Sequence, residues 1–140
     1  MRRGATLLEL ALVLAVMGLM LAIALPPLRG LADGLAVHRA ALDIVSAHRR
    51  ARISAILTSQ VIELTVDPNG LAIRPRGAAE LWRTAGPAAS QVALAGPART
   101  ITFSPVGLSM GLSNASFRLS RGGATRTVVV SRLGRVRVTP

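Results

Sequence analysis

No cysteine occurs among the 140 residues. That excludes disulfides, thiolate metal sites and a cysteine nucleophile. It does not fix the compartment, because an exported domain can do without bridges. Lysine is missing too, so all 17 basic residues are arginine. Biased codon usage accounts for arginine over lysine, but not for where the arginines fall. Aromatic residues are scarce, with only Trp82, Phe103 and Phe117 present, which argues against base stacking as a main term in any nucleic-acid contact. Acidic residues number six. From Leu81 to Pro140 there are eight arginines (83, 99, 118, 121, 126, 132, 135, 137) and no Asp or Glu. Such asymmetry suggests an anionic partner, nucleic acid or a membrane surface; the plain alternative is a solvated basic face.

The parts of an enzyme are missing as well. His38 and His48 stand ten apart on a predicted helix, about 15 Å along its axis. No carboxylate pair, glycine-rich phosphate loop or metal-ligand spacing accompanies them. Both read as surface or core-edge histidines. Asp67 belongs to a turn, and Glu63 and Glu80 stand alone. The expectation is a non-enzymatic protein with no metal and no cofactor.

Hydrophobic residues make up 51% of the chain, mostly Leu, Ala, Val and Ile, and much of this content is N-terminal. The length suits one domain with one modest core. After a short basic opening, Met1-Arg2-Arg3-Gly4, nineteen residues from Leu10 to Leu28 carry no charge, about the length of a bilayer-crossing helix. Gly18 and Pro26-Pro27 interrupt it, and a kink or break is expected at the prolines. Residues Leu28 to about Thr58 read as an amphipathic helix with Leu28, Leu31, Leu35, Leu42, Val45, Ile53 and Ile56 on its apolar face. From Gln60 the period changes. Val61 to Val66, the turn Asp67-Pro68-Asn69-Gly70, and Leu71 to Ile73 form a hairpin. Residues 76–98 are rich in Gly, Ala and Pro, with one strand near Gln91 to Leu94. An antiparallel meander then covers Thr100–Phe103, Ser116–Leu119, Thr125–Ser131 and Arg135–Val138. Turns fall at Pro105-Val106-Gly107, Gly122-Gly123 and Leu133-Gly134. The fold class is therefore α+β, a long N-terminal helix followed by a small antiparallel β head. The organisation is 1–4 leader, 5–28 membrane-length apolar helix, 29–59 amphipathic helix and 60–140 head.

Glu9 lies inside this apolar opening, between Leu8 and Leu10. Ionisable residues within membrane segments are costly and commonly functional. Removal of residues 1–4 would create an α-amino group on Ala5, and that amine on a neighbouring subunit is a counter-charge for Glu9. The alternative is that Glu9 lies near enough to the interface to stay hydrated.

Arg2-Arg3-Gly4-Ala5-Thr6-Leu7-Leu8-Glu9-Leu10 resembles the class III signal of type IV pilins and type II secretion pseudopilins. The resemblance implies cutting after Gly4 by a prepilin peptidase, methylation of the new terminus at Ala5, and Glu9 as the fifth mature residue. Gly18 and Pro26 also fall where family members carry a softening glycine and a proline. Family members usually begin with Phe, whereas this chain would begin with Ala5. The partners implied are other pilin or pseudopilin subunits, the prepilin peptidase and the bacterial inner membrane, with the head in the periplasm. A competing reading is a secretory signal peptide ending at Ala22-Ile23-Ala24. Glu9 and the direct continuation into an amphipathic helix argue against it.

The later segments Ile101–Gly107, Ser116–Leu119 and Val128–Val138 resemble the GspH/FimT group of minor pilins and pseudopilins, as does the helical stretch Leu42–Ile56, and the resemblance implies a head of two small β-sheets packed on the long N-terminal helix. The likeness fails across residues 76–98. Within the group, some FimT-type members serve DNA uptake through a basic C-terminal Gly-Arg-x-Arg, which stands here as Gly134-Arg135-Val136-Arg137. On a strand, Arg135 and Arg137 share a face, and Arg126 and Arg132 extend the candidate patch. Two to four phosphate contacts would give weak, salt-sensitive, sequence-independent binding to double-stranded DNA. Two readings stand: a structural assembly subunit, and an assembly subunit that also binds DNA.

Overall fold

The structure, a computed structural model, describes residues 6–111, 114–131 and 133–140, and of residues 25–27 the backbone alone. The first element is a 52-residue helix, α1 (Leu7–Thr58). Thr6 starts it: its hydroxyl accepts the Glu9 N–H at 3.3 Å and its carbonyl the Glu9 and Leu10 N–H groups at 3.0 and 3.2 Å. Threonine suits this position because its side chain satisfies a donor that the first turn leaves open. Thr6-Leu7-Leu8-Glu9 also has the spacing of a capping box, and it places a carboxylate at the positive end of the helix dipole. The helix runs unbroken through Pro26-Pro27. Of the expected kink or break, a break is thus overturned: proline's fixed φ is compatible with helical backbone, although each ring removes a donor and crowds the preceding turn. Ser59, in the left-handed region at φ 51°, ends it.

The chain divides into two compact units, residues 1–32 and 33–140. In the first, the described large side chains, from Leu7 to Leu31, are exposed. Among the described residues the buried core, from Val37 to Val130, lies within the second, so it carries what it needs to fold by itself.

Within the second unit α1 buries Val37, Ala40, Ala41, Ile44, Ala47, His48, Ala51 and Ala55. Their three- and four-residue steps make one continuous stripe. This corrects the face expected from the sequence. Leu35, Leu42, Ile53 and Ile56 lie about half exposed on the opposite side, and only Val45 of that expected set packs on the core. The larger side chains dominate the hydropathy pattern, but the sheets can come close only over the alanines. His48 is a further correction. It is fully in the core, 2% exposed, not at its edge.

Nine strands follow among the described residues: β1 (Ile62–Val66), β2 (Gly70–Pro75), β3 (Trp82–Ala85), β4 (Ala93–Ala95), β5 (Arg99–Phe103), β6 (Ser109–Met110), β7 (Ala115–Arg121), β8 (Ala124–Val130) and β9 (Val136–Thr139). They form a five-stranded sheet in the order β3-β2-β1-β5-β6 and a four-stranded sheet in the order β4-β7-β8-β9. All pairings are antiparallel. Ile62, Leu64, Val66, Leu71, Ile73, Ile101 and Phe103 face inward from the first sheet. Ala115, Phe117, Leu119, Val128 and Val130 do so from the second. Alternation along each strand is the ordinary consequence of burying one face.

The expected hairpin is β1–β2, and its turn is fixed by Asp67, whose Oδ1 accepts the N–H groups of Asn69 (2.6 Å) and Gly70 (3.2 Å). The expected meander is confined to β7–β8–β9, because β5 returns to pair with β1. Residues 76–98 hold β3, a 3₁₀ turn at Pro87–Ser90 and β4. This segment is pinned to the β1–β2 turn at Gly86, which donates to the Asn69 carbonyl at 3.0 Å, while Ala88 donates to that of Pro68 at 2.9 Å. A Cβ at Gly86 would collide with backbone atoms of Pro68, Asn69 and Gly70.

Candidate assembly helix and basic sheet face

The N-terminal half of α1 is the first candidate surface. Between Glu9 and Arg29 the sequence has no charge, and the described side chains there are exposed. Glu9 is itself exposed and forms no ion pair among the described residues. Gly18 lies within the helix with open space around its Cα. Pro26 is helical in backbone, its side chain outside the description. The cleavage residues Gly4 and Ala5 lie outside the described residues. By length and composition α1 is able to cross a membrane.

The second candidate is the outer face of the four-stranded sheet. Cross-strand partners share a face, so two rows can be read from the register. Arg118 stands opposite Thr127, which stands opposite Thr139; Ser116 stands opposite Val129, which stands opposite Arg137. Arg135 and Arg137 are both exposed and line one shallow pocket of about 370 Å³ with Val129, Ser131 and Leu133. The expectation that they share a face therefore holds. Arg126 does not join them: it stands opposite the buried Leu119, on the core side of β8. Arg132 lies outside the described residues. Arg118 takes the place that the sequence reading gave to Arg126. The alternation of Arg118 with buried Phe117 and Leu119 was a usable signal, but its neighbours on the face depend on strand order.

Charge is sorted between the sheets. Glu63 on the first sheet takes hydrogen bonds from Arg76 and Arg74, each at 3.1 Å. These donors, Arg76 foremost, hold its carboxyl below the usual carboxylate range against a smaller opposing effect of burial. Glu80 binds Arg83 at 3.0 Å, and the Arg83 guanidinium is pushed further up by that bond. Asp33 binds Arg121 at 2.9 Å, and Arg121 also donates to the Ser90 carbonyl at 2.8 Å. Three acids of residues 33–140, namely Asp33, Glu63 and Glu80, are thus paired with arginines other than those of the outer face. Arg118, Arg135 and Arg137 form no ion pair among the described residues. Among those residues there is also no cluster of His, Cys, Asp or Glu able to hold a metal.

Residues 40–134, from the middle of α1 to the turn before β9, match the model of the family described as Type II transport protein GspH. The chain belongs to this pilin-like family. It is 32% identical over 157 aligned residues to Pilin-like protein PilA1 of Thermus thermophilus, with 98% of each chain covered. Its fold is that of the type IV minor pilin FimU of Pseudomonas aeruginosa. One crystal form matches with TM-score 0.61 and 21% identity over 74% of this chain and 88% of FimU. A second gives 0.57 and 19%, over 74% and 92%. Membership makes the chain a minor pilin or pseudopilin, a structural subunit and not an enzyme, whose partners are other pilin subunits. The exposed apolar start of α1 fits a membrane-anchored pilus subunit. The family match ends at Gly134 and so stops short of Arg135 and Arg137.

Proposed function

We propose that the chain is made as a prepilin and cut after Gly4 by a prepilin peptidase, with Ala5 then methylated. Residues 5–28 hold it in the inner membrane as a single pass, residues 29–59 continue the helix, and the head of residues 60–140 lies in the periplasm. From there it enters a type IV pilus or type II secretion filament. The observation that carries this reading is Glu9, an exposed carboxylate in the first turn of α1 with no ion pair among the described residues, followed by an uncharged apolar stretch up to Leu28. In lipid or in a bundle of apolar helices such a charge is stable only with a partner, and the new amine of a neighbour's Ala5 supplies one. Glu9 then sets the register at which a subunit joins. The mass of the full chain recovered from membranes tests the processing. The expected mass lacks residues 1–4 and carries one added methyl group. An intact N-terminus, or a chain cut after Ala24, would overturn it.

A second reading adds double-stranded DNA as a partner, as in FimT-type minor pilins. It is favoured by Arg118, Arg135 and Arg137, which lie on one outer sheet face and form no ion pair among the described residues. Each phosphate contact would release condensed counterions, so binding should fall steeply with salt and show little sequence preference. Residues 33–140 are expected to bind labelled duplex at low salt, with the logarithmic salt slope about one unit shallower per arginine replaced by Gln. Equal binding by the Arg135→Gln/Arg137→Gln variant would return these arginines to a solvated surface.

A further inference from the structure

Asn69-Gly70, at the tip of the β1–β2 turn, is a sequence in which an asparagine side chain is open to loss of ammonia. Asparagine is among the thermolabile residues, and a following glycine puts no Cβ in the way of an attack by its own nitrogen. Asn69 is exposed to water. The reaction needs the Gly70 nitrogen free to turn onto the Asn69 Cγ, and the structure holds that nitrogen in place. Its N–H donates to Asp67 twice, to Oδ1 at 3.2 Å and to the carbonyl at 3.3 Å. The Asn69 N–H is fixed on the same Oδ1 at 2.6 Å. The Asn69 carbonyl accepts the Gly86 N–H at 3.0 Å, so the peptide group between Asn69 and Gly70 is bound at both its oxygen and its nitrogen. Gly86 also covers that group. A Cβ on Gly86 would come 2.5 Å from the Gly70 nitrogen and 2.7 Å from the Asn69 carbonyl carbon.

We propose that Asn69 is a latent deamidation site, closed while residues 86–88 are docked on the β1–β2 turn and reactive when they let go. Contacts of this kind open locally at less than the free energy of global unfolding. In the open turn hydroxide takes the Gly70 amide proton, and the freed electron pair forms a bond to the Asn69 Cγ. The bond from Cγ to the side-chain nitrogen breaks, and that nitrogen leaves as ammonia with a proton from water. Water then opens the cyclic imide at either carbonyl, leaving aspartate or isoaspartate at position 69. Water is the only co-reactant. Either product sets a new carboxylate beside Asp67, and like charges repel. Isoaspartate also lengthens the main chain by one methylene and moves the carbonyl that Gly86 uses. The step therefore runs one way. A turn that has reacted docks less well, and the head keeps a record of how long this contact has been open. The inference uses residues 67–88 alone and is independent of filament entry and of DNA.

The test keeps the full chain in detergent, in mildly alkaline buffer with and without urea, and digests samples at intervals. Mass spectrometry reads the conversion of amide to acid at position 69, and chromatography separates the isoaspartate form. The folded chain is expected to convert at least about tenfold more slowly than the unfolded one, as for a reaction that passes through a local opening. Gly86→Ala pushes the docked segment off the turn, and Asp67→Ala removes the Oδ1 acceptor. Each should bring the folded rate towards the unfolded one, and Asp67→Ala carries the test where Gly86→Ala does not fold. Asp67→Asn keeps an acceptor and should stay slow; its own new amide precedes Pro68, which has no N–H to attack with. Equal rates with and without urea, or no conversion in urea, would overturn the proposal. So would the wild-type rate in folded Asp67→Ala, or an Asp67→Asn rate as fast as that of Asp67→Ala.

Discussion

Mild acid is expected to loosen the head through one side chain, His48. It sits in the seam between α1 and the sheets, 2% exposed. Its ring meets Phe103 edge-on at 4.9 Å, and its Nε2 has no hydrogen-bond partner. Burial foremost, then the charges of Arg52 and Arg49, push its pKa from 6.5 down to about 4. Above pH 6.5 folded and unfolded chains both hold the ring neutral, and it contributes no pH dependence. As pH falls from 6.5 towards 4, the unfolded chain takes up a proton that the folded head refuses, so stability is lost across that window and levels off below it. At 1.36 kcal/mol per pH unit the ceiling is about 3 kcal/mol, of which roughly 2 falls between pH 7 and 5. Staying above pH 5 also keeps clear of Glu63, whose lowered carboxyl contributes stability that is lost at more acid pH. Urea unfolding of residues 33–140 at pH 7, 6 and 5 reads the slope directly. A His48→Leu variant should lose most of it and be the more stable protein at pH 5; exposed His38 is present in both and cancels. Equal stability of the wild-type head at pH 7 and 5, or an unchanged slope in the variant, would refute this reasoning.

Three further outcomes follow from the packing. Gly86→Ala places a methyl group against backbone of the β1–β2 turn, which cannot move aside as a side chain can. A loss of about 2 kcal/mol is expected in urea unfolding, within the usual range for overpacking. Ala51→Leu, at a fully buried helix position, should cost about 1–3 kcal/mol. Leu42→Ala on the opposite face should change stability by no more than about 0.5 kcal/mol while reducing recovery in filaments. Equal effects at both sites would mean that the wrong face of α1 has been assigned to the core.

Much of the head was legible because local rules act locally. Asp67-Pro68-Asn69-Gly70 names its own turn, Gly122-Gly123 its own hairpin, and the alternation in Val128–Val130 its own strand. What escaped depends on distant contacts. The alanine stripe of α1 was absent from the apolar face expected of the helix, and the closeness of the sheets makes it the buried one. Residues 76–98 lack periodicity because their conformation is set by hydrogen bonds to the β1–β2 turn. At the candidate basic face, the pairing of Arg135 with Arg137 followed from alternation alone. Placing Arg118 beside them and turning Arg126 away required the register of β7, β8 and β9.

The most direct test of the central claim follows Glu9→Gln in cells. Membrane and sheared-filament fractions are probed for the tagged full chain in both forms. The wild type is expected in both fractions, and the variant in the membrane at wild-type level but absent from filaments. A variant that enters filaments as readily as wild type would contradict the register role of Glu9, and a wild type never found in filaments would contradict the proposed entry into a pilus or pseudopilus.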